Sequence, residues 1–457
     1  MTQTVYIGSG AGFAGDRLDA GVAVVETLKD RDGPKYLIFE VMGERTLAIA
    51  QRIKMHNPEL GYSPYLELYL RNVLVAAKQH GVTIVANLGN ANPMGGAKRV
   101  HELAEELGVK GLRVAVVLGD DLLAFMDGDE VAALPTIEGV SIDGKEIVAA
   151  NAYLGARPVA DALKLDVDIV LVGRTTDAAL VLGPLIHEFG WGETDWDLLA
   201  SGTLAGHLLE CGGQVTGGYF CDPGFKDVPG MDNLGFPIGE INADGSIVIT
   251  KAENTGGLVS KATVIEQMLY EMHDPSAYLT PDVSLNITNV SLAEDGKDRI
   301  RVSGARGAPP PETLKVTISA DGGWLGEADM IYAGPNALAR AQLAADIVRK
   351  RCERYGITDP MRIEIIGTGA VFDNDTSDRG RGSNMPKDGE YRLRAAVRTQ
   401  DKAIAKYMND EVLSLFCSGP AGGGGYRCNV MGQVNTASVL IPREPVEAQA
   451  RAIEVLP

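Results

Sequence analysis

The chain has 457 residues, of which 45% are hydrophobic and 23% charged, an ordinary globular balance with room for two or three domains. Its 61 acidic against 42 basic side chains, a net charge of −19, would repel a phosphate backbone and argue against a nucleic-acid partner. No apolar run reaches the roughly 20 residues that cross a bilayer, and no basic segment followed by a hydrophobic one opens the chain, so no membrane and a cytoplasmic location are expected.

The first element is an apolar strand, Val5-Tyr6-Ile7, followed by Gly10-Ala11-Gly12-Phe13-Ala14-Gly15 and an amphipathic stretch with Leu18, Val22, Val25 and Leu28 on one face. This is a G-x-G-x-x-G pattern between a strand and a helix, and the next strand, Tyr36 to Phe39, ends at Glu40, where a dinucleotide fold places its ribose-binding acid. The turn reads as a dinucleotide site, as a plain strand-to-helix turn, or as a site for another anion on backbone N–H groups at Gly10, Ala11 and Gly12. Asp16 and Asp19 in the following turn would repel a pyrophosphate unless Arg17 or a metal offset them, which favours the last.

Helices are predicted over 46–55, 65–79 and 93–107, the last opened by Pro93 and stopped by Gly108, with the strand Val82 to Ala86 between. Strands follow at Leu112 to Leu118, Ile147 to Ala150 and Asp168 to Val172, and helices over 158–165, 175–189 and 198–210. Strands alternating with helices imply a mainly parallel sheet, an α/β class whose ligands bind outside the carboxyl ends of the strands. Those ends carry Ser9, Glu40, Asn87, Asp120 with Asp121, Asn151, and Arg174 with Asp177. Ser, Asn and Asp there are also favoured helix caps, whereas Glu40 and Arg174 are not and directly follow apolar runs.

At the end of the 198–210 helix, His207 lies four residues before Cys211, which suggests either an activated thiolate pair or a buried cysteine. The five cysteines contain no C-x-x-C, so neither a disulfide framework nor a thiolate zinc site is indicated, and no metal or cofactor is assigned. Residues 217–244, rich in Gly, Pro and Asp, read as a long loop or lid. Thr255-Gly256-Gly257 precedes a helix over 260–272, a second glycine-opened helix start where an anion could rest. The domain boundary is placed at 281/282. Beyond it, alternating strands and helices over 335–355 and 402–415 predict a C-terminal α+β domain. Asp373 to Arg379 is an acidic run lacking the glycine and distal glutamate of a calcium loop, and Gly422 to Gly425 is a flexible or closely packed stretch.

Several stretches together carry a resemblance: Gly8 to Arg17, Phe39-Glu40 with Glu44-Arg45-Thr46, Asn87 to Pro93 including Asn90, Gly173 to Ala178 including Thr176, and Glu210 to Gly218. Tyr278 to Asp282, Val302 to Gly307 with Pro309 to Pro311, and Tyr332 to Pro335 extend it over nearly the whole chain. The chain resembles the acyclic terpene utilisation protein A family. The resemblance implies a setting among enzymes of acyl-CoA and branched-chain carboxylate breakdown. Many members continue into a small ferredoxin-like domain, and this sequence ends at Pro457 without it. A separate small ferredoxin-like subunit or a homo-oligomer is therefore expected.

The functional expectation is a lyase or hydratase acting on a carboxylate or acyl-CoA-linked hydroxy acid. Arg174 would bind a carboxylate, Glu40 or Asp177 would exchange a proton, and Gly10, Ala11, Gly12, Asn87, Asn90, Thr176, Thr255, Gly256 and Gly257 would hold the substrate anion. Alternatives are a hydrolase using Cys211 and a non-catalytic subunit that binds an acyl ligand.

Overall fold

A computed structural model describes residues 4–142, 145–367 and 389–457. The acidic run at 373–379 lies outside the described residues. The chain divides into two compact units, Met1–Ser319 with Thr436–Pro457, and Ala320–Asn435.

The strands of the first unit are β1 (Thr4–Ala11), β2 (Lys35–Phe39), β3 (Val82–Ala86), β4 (Val114–Leu118), β5 (Ile147–Ala152), β6 (Ile169–Val172), β7 (Pro237–Asn242), β8 (Ile247–Lys251), β9 (Tyr278–Leu279), β10 (Ser284–Asn286), β11 (Ser291–Glu294), β12 (Ile300–Ser303) and β13 (Arg306–Ala308). Its helices are α1 (Ala20–Leu28), α2 (Glu44–His56), α3 (Leu66–His80), α4 (Pro93–Glu106), α5 (Gly128–Ala132), α6 (Arg157–Leu163), α7 (Ala179–Phe189), α8 (Trp196–Glu210) and α9 (Lys261–Leu269). Within β14 (Thr313–Gly334) the chain passes into the second unit, which holds α10 (Ala337–Arg354), β15 (Met361–Ile366), β16 (Gly389–Thr399) and α11 (Lys402–Ser418). Within β17 (Gly424–Pro442) it returns to α12 (Glu444–Glu447) and β18 (Arg451–Val455).

The main sheet runs β11-β12-β8-β7-β1-β2-β3-β6-β4-β18. Its centre, β1-β2-β3-β6-β4, is parallel, while β7 and β18 join it antiparallel at either side. The central strands are apolar on both faces because both faces are covered. Leu37, Ile84, Val116 and Leu171 pack with Val24, Leu70 and Leu103 of α1, α3 and α4. Their neighbours Ile38, Val85, Val117 and Val170 pack on the other side with Val159, Leu182, Leu204 and Leu208 of α6, α7 and α8. This is the α/β architecture that the alternation of strands and helices predicts.

In the second unit the strand order is β15-β16-β14-β17. Met330, Leu393 and Val397 pack with Ala341 and Val348 of α10 and Val412 and Leu415 of α11. β16 pairs antiparallel with both β14 and β15, and the helices pack on this sheet, an α+β arrangement.

Three differences from the sequence reading have physical causes. The pattern changes at 282, but β11 and β12 add to the edge of the first unit's sheet through β8, so the second unit starts at Ala320 and ends at Asn435. Within 217–244, Pro237 opens β7, because a proline is tolerated as the first residue of a strand. Finally, α1 starts at Ala20, and its buried face is Ala20, Val24, Val25 and Leu28, while Leu18 and Val22 are exposed. No helix among the described residues is long and apolar enough to cross a membrane.

Candidate active site

A cavity of about 1170 Å³ opens in the first unit at the carboxyl ends of β1, β2 and β6. It is somewhat larger than the roughly 300–1,000 Å³ of common ligand pockets. From the strand ends it receives Gly12, Glu40, Met42, Arg174, Thr176 and Asp177, and from the end of α8 Glu210 and Cys211. Tyr153, Tyr278 and Lys315 add to its polar wall, with Asp16, Arg17, Glu44, Gln214, Glu271 and His273. Phe13, Leu234, Phe236, Leu279, Leu314 and Leu440 supply apolar surface.

Glu40 follows β2 directly, and the apolar strand fixes its backbone, with its N–H donating to the carbonyl of Ala11 at 3.1 Å. Its Oε1 accepts from Met42 N and from Asn87 Nδ2, each at 2.9 Å. Burial, reinforced by the nearby Asp177 charge, pushes the Glu40 carboxyl up to about 8, so it carries its proton at neutral pH. Burial also raises Asp177, against the pull of Arg174.

Arg174 follows β6 in the same way. Its guanidinium is 1% exposed, whereas 37% of the Asp177 side chain is open to the cavity. Nε donates to Thr175 O at 2.8 Å, Nη1 to Met42 O at 2.5 Å, and Nη2 to Thr175 O and to Asp177. These main-chain carbonyls take most of its donors, so Arg174 holds Asp177 and the 42–44 segment rather than offering an open fork to a substrate carboxylate. The Tyr153 ring lies between two cations, 4.4 Å from the Arg174 guanidinium carbon and 4.8 Å from Lys315 Nζ. Tyr153 Oη donates to Glu44, and Lys315 Nζ reaches the same carboxylate at 3.4 Å. Lys315, 41% exposed, is the better placed cation for a substrate oxygen.

Other expected strand-end residues stand behind the cavity. Asn87 stands behind Glu40, and its Oδ1 accepts from Val41 N at 2.8 Å, so it props the acid instead of lining the cavity. Asp120 and Asn151 underpin Arg174 likewise: Asp120 Oδ2 accepts from Arg174 N and Asn151 Nδ2, both at 2.9 Å. Asn90 is buried behind the strand ends with a positive φ of 45°, outside the cavity lining.

The first glycine turn is not an open anion cradle. Gly12 N donates to Asp16 Oδ2 at 2.9 Å, Asp16 Oδ1 takes Arg17 N at 2.7 Å, and α1 starts well beyond Gly15. Gly10 leaves room for the Phe39 ring, where a Cβ would sit 2.6 Å from it, and Ala11 is buried in β1. At Gly12 a Cβ would lie 2.3 Å from the Cys211 carbonyl carbon. The glycine serves a close approach between the end of β1 and the end of α8.

The second glycine turn is also satisfied internally. Gly256 N and Gly257 N donate to Asn233 O and Pro229 O at 2.8 and 2.7 Å, a Cβ on Gly256 would strike Gly230 O, and Thr255 Oγ1 donates to Ala252 O. The start of α9 is capped by Ser260, whose Oγ accepts from Thr263 N at 3.2 Å. Thr255, Gly256 and Gly257 do not line the cavity.

Cys211 does line it, but burial and the adjacent Glu210 charge push its thiol well above the usual range, which opposes a resting thiolate. His207 pairs with Glu210, Nδ1 to Oε1 at 3.0 Å. Among the described residues, no group of three or more His, Cys, Asp or Glu side chains is disposed to hold a metal ion.

Sequence reasoning missed Glu44, Tyr153 and Lys315. The signal for Lys315 is a cation inside the apolar alternation Leu314 to Ile318, and Glu44 opens a helix whose partners, Tyr153 and Lys315, are distant in sequence.

A family model, Acyclic terpene utilisation family protein AtuA, matches residues 5–452. The chain belongs to this family. No curated protein and no solved structure matches it.

Proposed function

We propose that this member of the acyclic terpene utilisation family is a lyase or hydratase that removes water from, or adds it to, a hydroxy acid of branched-chain or terpene type, presented as a free carboxylate or as a CoA thioester. The observation that carries the reading is that the carboxyls of Glu40 and Asp177 line one large cavity together with buried Arg174. Glu40 is kept neutral by burial and Asp177 is ion-paired with Arg174, which supplies a proton donor at neutral pH.

In the eliminating direction, Glu40 gives its proton to the departing hydroxyl as the C–O bond breaks, and water leaves. The electron pair of the C–H bond beside the carbonyl forms the new double bond, and that proton passes to a carboxylate of the cavity. Lys315, next to Tyr153, binds the substrate carbonyl or carboxylate oxygen where negative charge grows. Asp177 keeps the Arg174 charge compensated. The raised Cys211 thiol gives no support to a thiol hydrolase.

The test is incubation of purified protein with a panel of hydroxy acids, unsaturated acids and their CoA thioesters in ¹⁸O-labelled water, followed by mass spectrometry. Incorporation of ¹⁸O into a hydroxy acid formed from an unsaturated one, or loss of the mass of water from a hydroxy acid, supports the reading. Tight binding without turnover favours the acyl-binding subunit, and release of free acid from thioesters favours the hydrolase.

A further inference from the structure

Glu210 lines the cavity without a task in the scheme above. It is the last residue of α8, and its Oε1 lies 3.0 Å from Nδ1 of His207, one turn earlier on the same helix face. His207 is sealed from solvent at 1% exposure, its ring 5.6 Å from that of Tyr278, and its carbonyl accepts from Gln267 Nε2 at 2.9 Å. A histidine so enclosed meets no substrate; what it can do is aim and charge-balance the glutamate. Helix α8 is buried without a break from Gly202 to Glu210, so the backbone that carries both side chains is held in place.

We propose that Glu210, oriented by His207, is the base that takes the proton from the carbon beside the acyl carbonyl, an assignment that rests on the elimination reading above. The C–H bond breaks, its electron pair forms the double bond, and the proton settles on Glu210. The hydroxyl departs as water with the Glu40 proton. Transfer of the proton from Glu210 back to Glu40 through solvent resets the site, so water and the unsaturated acid are the only products.

The groups facing Glu210 are consistent with a base. Burial holds its carboxyl above the usual range against the pull of His207, and the charges of Asp177 after β6 and Glu271 after α9 add to the rise. Tyr278 from β9 and the adjacent Cys211 are neutral neighbours, both pushed upward in part by Glu210. Asp177, the other candidate, is tied into the Arg174 ion pair and so is the weaker base.

Hydrogen exchange separates proton removal from loss of water. Wild-type protein in D₂O is expected to exchange the hydrogen beside the carbonyl of isovaleryl-CoA, which has no hydroxyl to lose. Glu210→Gln is expected to slow exchange at least ~10²-fold while binding of isovaleryl-CoA, measured by calorimetry, and the melting temperature hold. His207→Gln is expected to retain exchange with a displaced pH profile, which a merely structural histidine would not produce. Should the variants fail to fold, the imidazole ¹⁵N resonances of wild type serve. His207 Nδ1 is expected to report a hydrogen bond that changes on addition of isovaleryl-CoA, and a His207 indifferent to the ligand overturns the assignment. Glu210→Gln exchanging at the wild-type rate, or wild type not exchanging at all, overturns it too, while turnover in the panel of acids would leave the elimination reading standing.

Discussion

The strand ends of the central sheet fall into two groups, although a polar residue follows the strand in both. At the ends of β2 and β6, Glu40, Arg174 and Asp177 meet the cavity. At the ends of β3 and β4, Asn87 and Asp120 occupy equivalent places, yet their side chains are consumed by Val41 N, Glu40, Asn151 and Arg174 N. A polar residue after a buried strand thus takes one of two roles, set by what stands beyond it. Where backbone N–H groups crowd in, it becomes scaffold. Where the chain leaves space, as at Glu40 and Asp177, its carboxyl is available to a ligand, while Arg174 is spent on Met42 O and Thr175 O.

Glu40→Gln breaks the comparison most sharply. Glutamine keeps a carbonyl oxygen for Met42 N and Asn87 Nδ2 but has no acidic proton, so turnover is expected to fall about 10²–10⁴-fold with little change in melting temperature. Full turnover would place Glu40 with the scaffold group. Arg174→Met should remove turnover and lower stability together, because Met42 O and Thr175 O lose a buried donor, at about 1–3 kcal/mol each, and Asp177 loses its partner. Denaturant unfolding measures the loss, and Arg174→Met combined with Asp177→Leu should recover part of it. A silent Arg174→Met would mean that the buried ion pair holds nothing in place.

Asp120→Ala tests the scaffold side. It strands Arg174 N and Asn151 Nδ2, at about 1–3 kcal/mol each, and should lower stability while kcat per folded molecule falls far less than in Glu40→Gln. A variant as inactive as Glu40→Gln but as stable as wild type would erase the distinction between the two groups.

The pH dependence sharpens the comparison further. Burial raises Asp120 from 3.8 to about 6 and Glu40 from 4.5 to about 8. Ionising either group therefore costs the folded state more than the unfolded one. Their stabilising contribution is complete below the unfolded values and is lost as pH rises, through about 6 for Asp120 and about 8 for Glu40. The melting temperature should decline over that window, and Glu40→Gln should flatten its upper part. A profile unchanged by Glu40→Gln would show that the carboxyl titrates normally.

The smallest expected effect is none: NAD, NADP and FAD should not shift the melting temperature, since Gly12 N already serves Asp16 and α1 begins only at Ala20. A clear shift would reopen the glycine turn as a ligand site.

Much of this was legible from local pattern. Val82 to Ala86 is a strand with those bounds because β-branched residues sit between a glycine and an asparagine, and Pro93 and Gly108 bracket α4 as helix start and stop. Glu40 and Arg174 stood out because neither is a favoured cap after a buried strand. Lys315 and Tyr153 stayed hidden, since their importance comes from meeting Arg174 and Glu44 across long stretches of chain. The glycine turns misled for a related reason. Their composition permits both an anion and a neighbouring backbone, and only the approach of Cys211 or Gly230 decides.

The pairing of β18 with β4 has a consequence for synthesis. β4 is made early, but its outer edge is covered only by Arg451–Val455, near the end of the chain, after the whole second unit has been translated. β1 similarly waits for β7. During translation the nascent sheet carries unpaired edges, which invite association with other strands, and its long-range pairings slow folding. The second unit is an uninterrupted segment of chain, so its sheet order β15-β16-β14-β17 is completed over a shorter stretch. Expression yield and demand for chaperones should therefore depend on the last strand, which contributes nothing to the cavity.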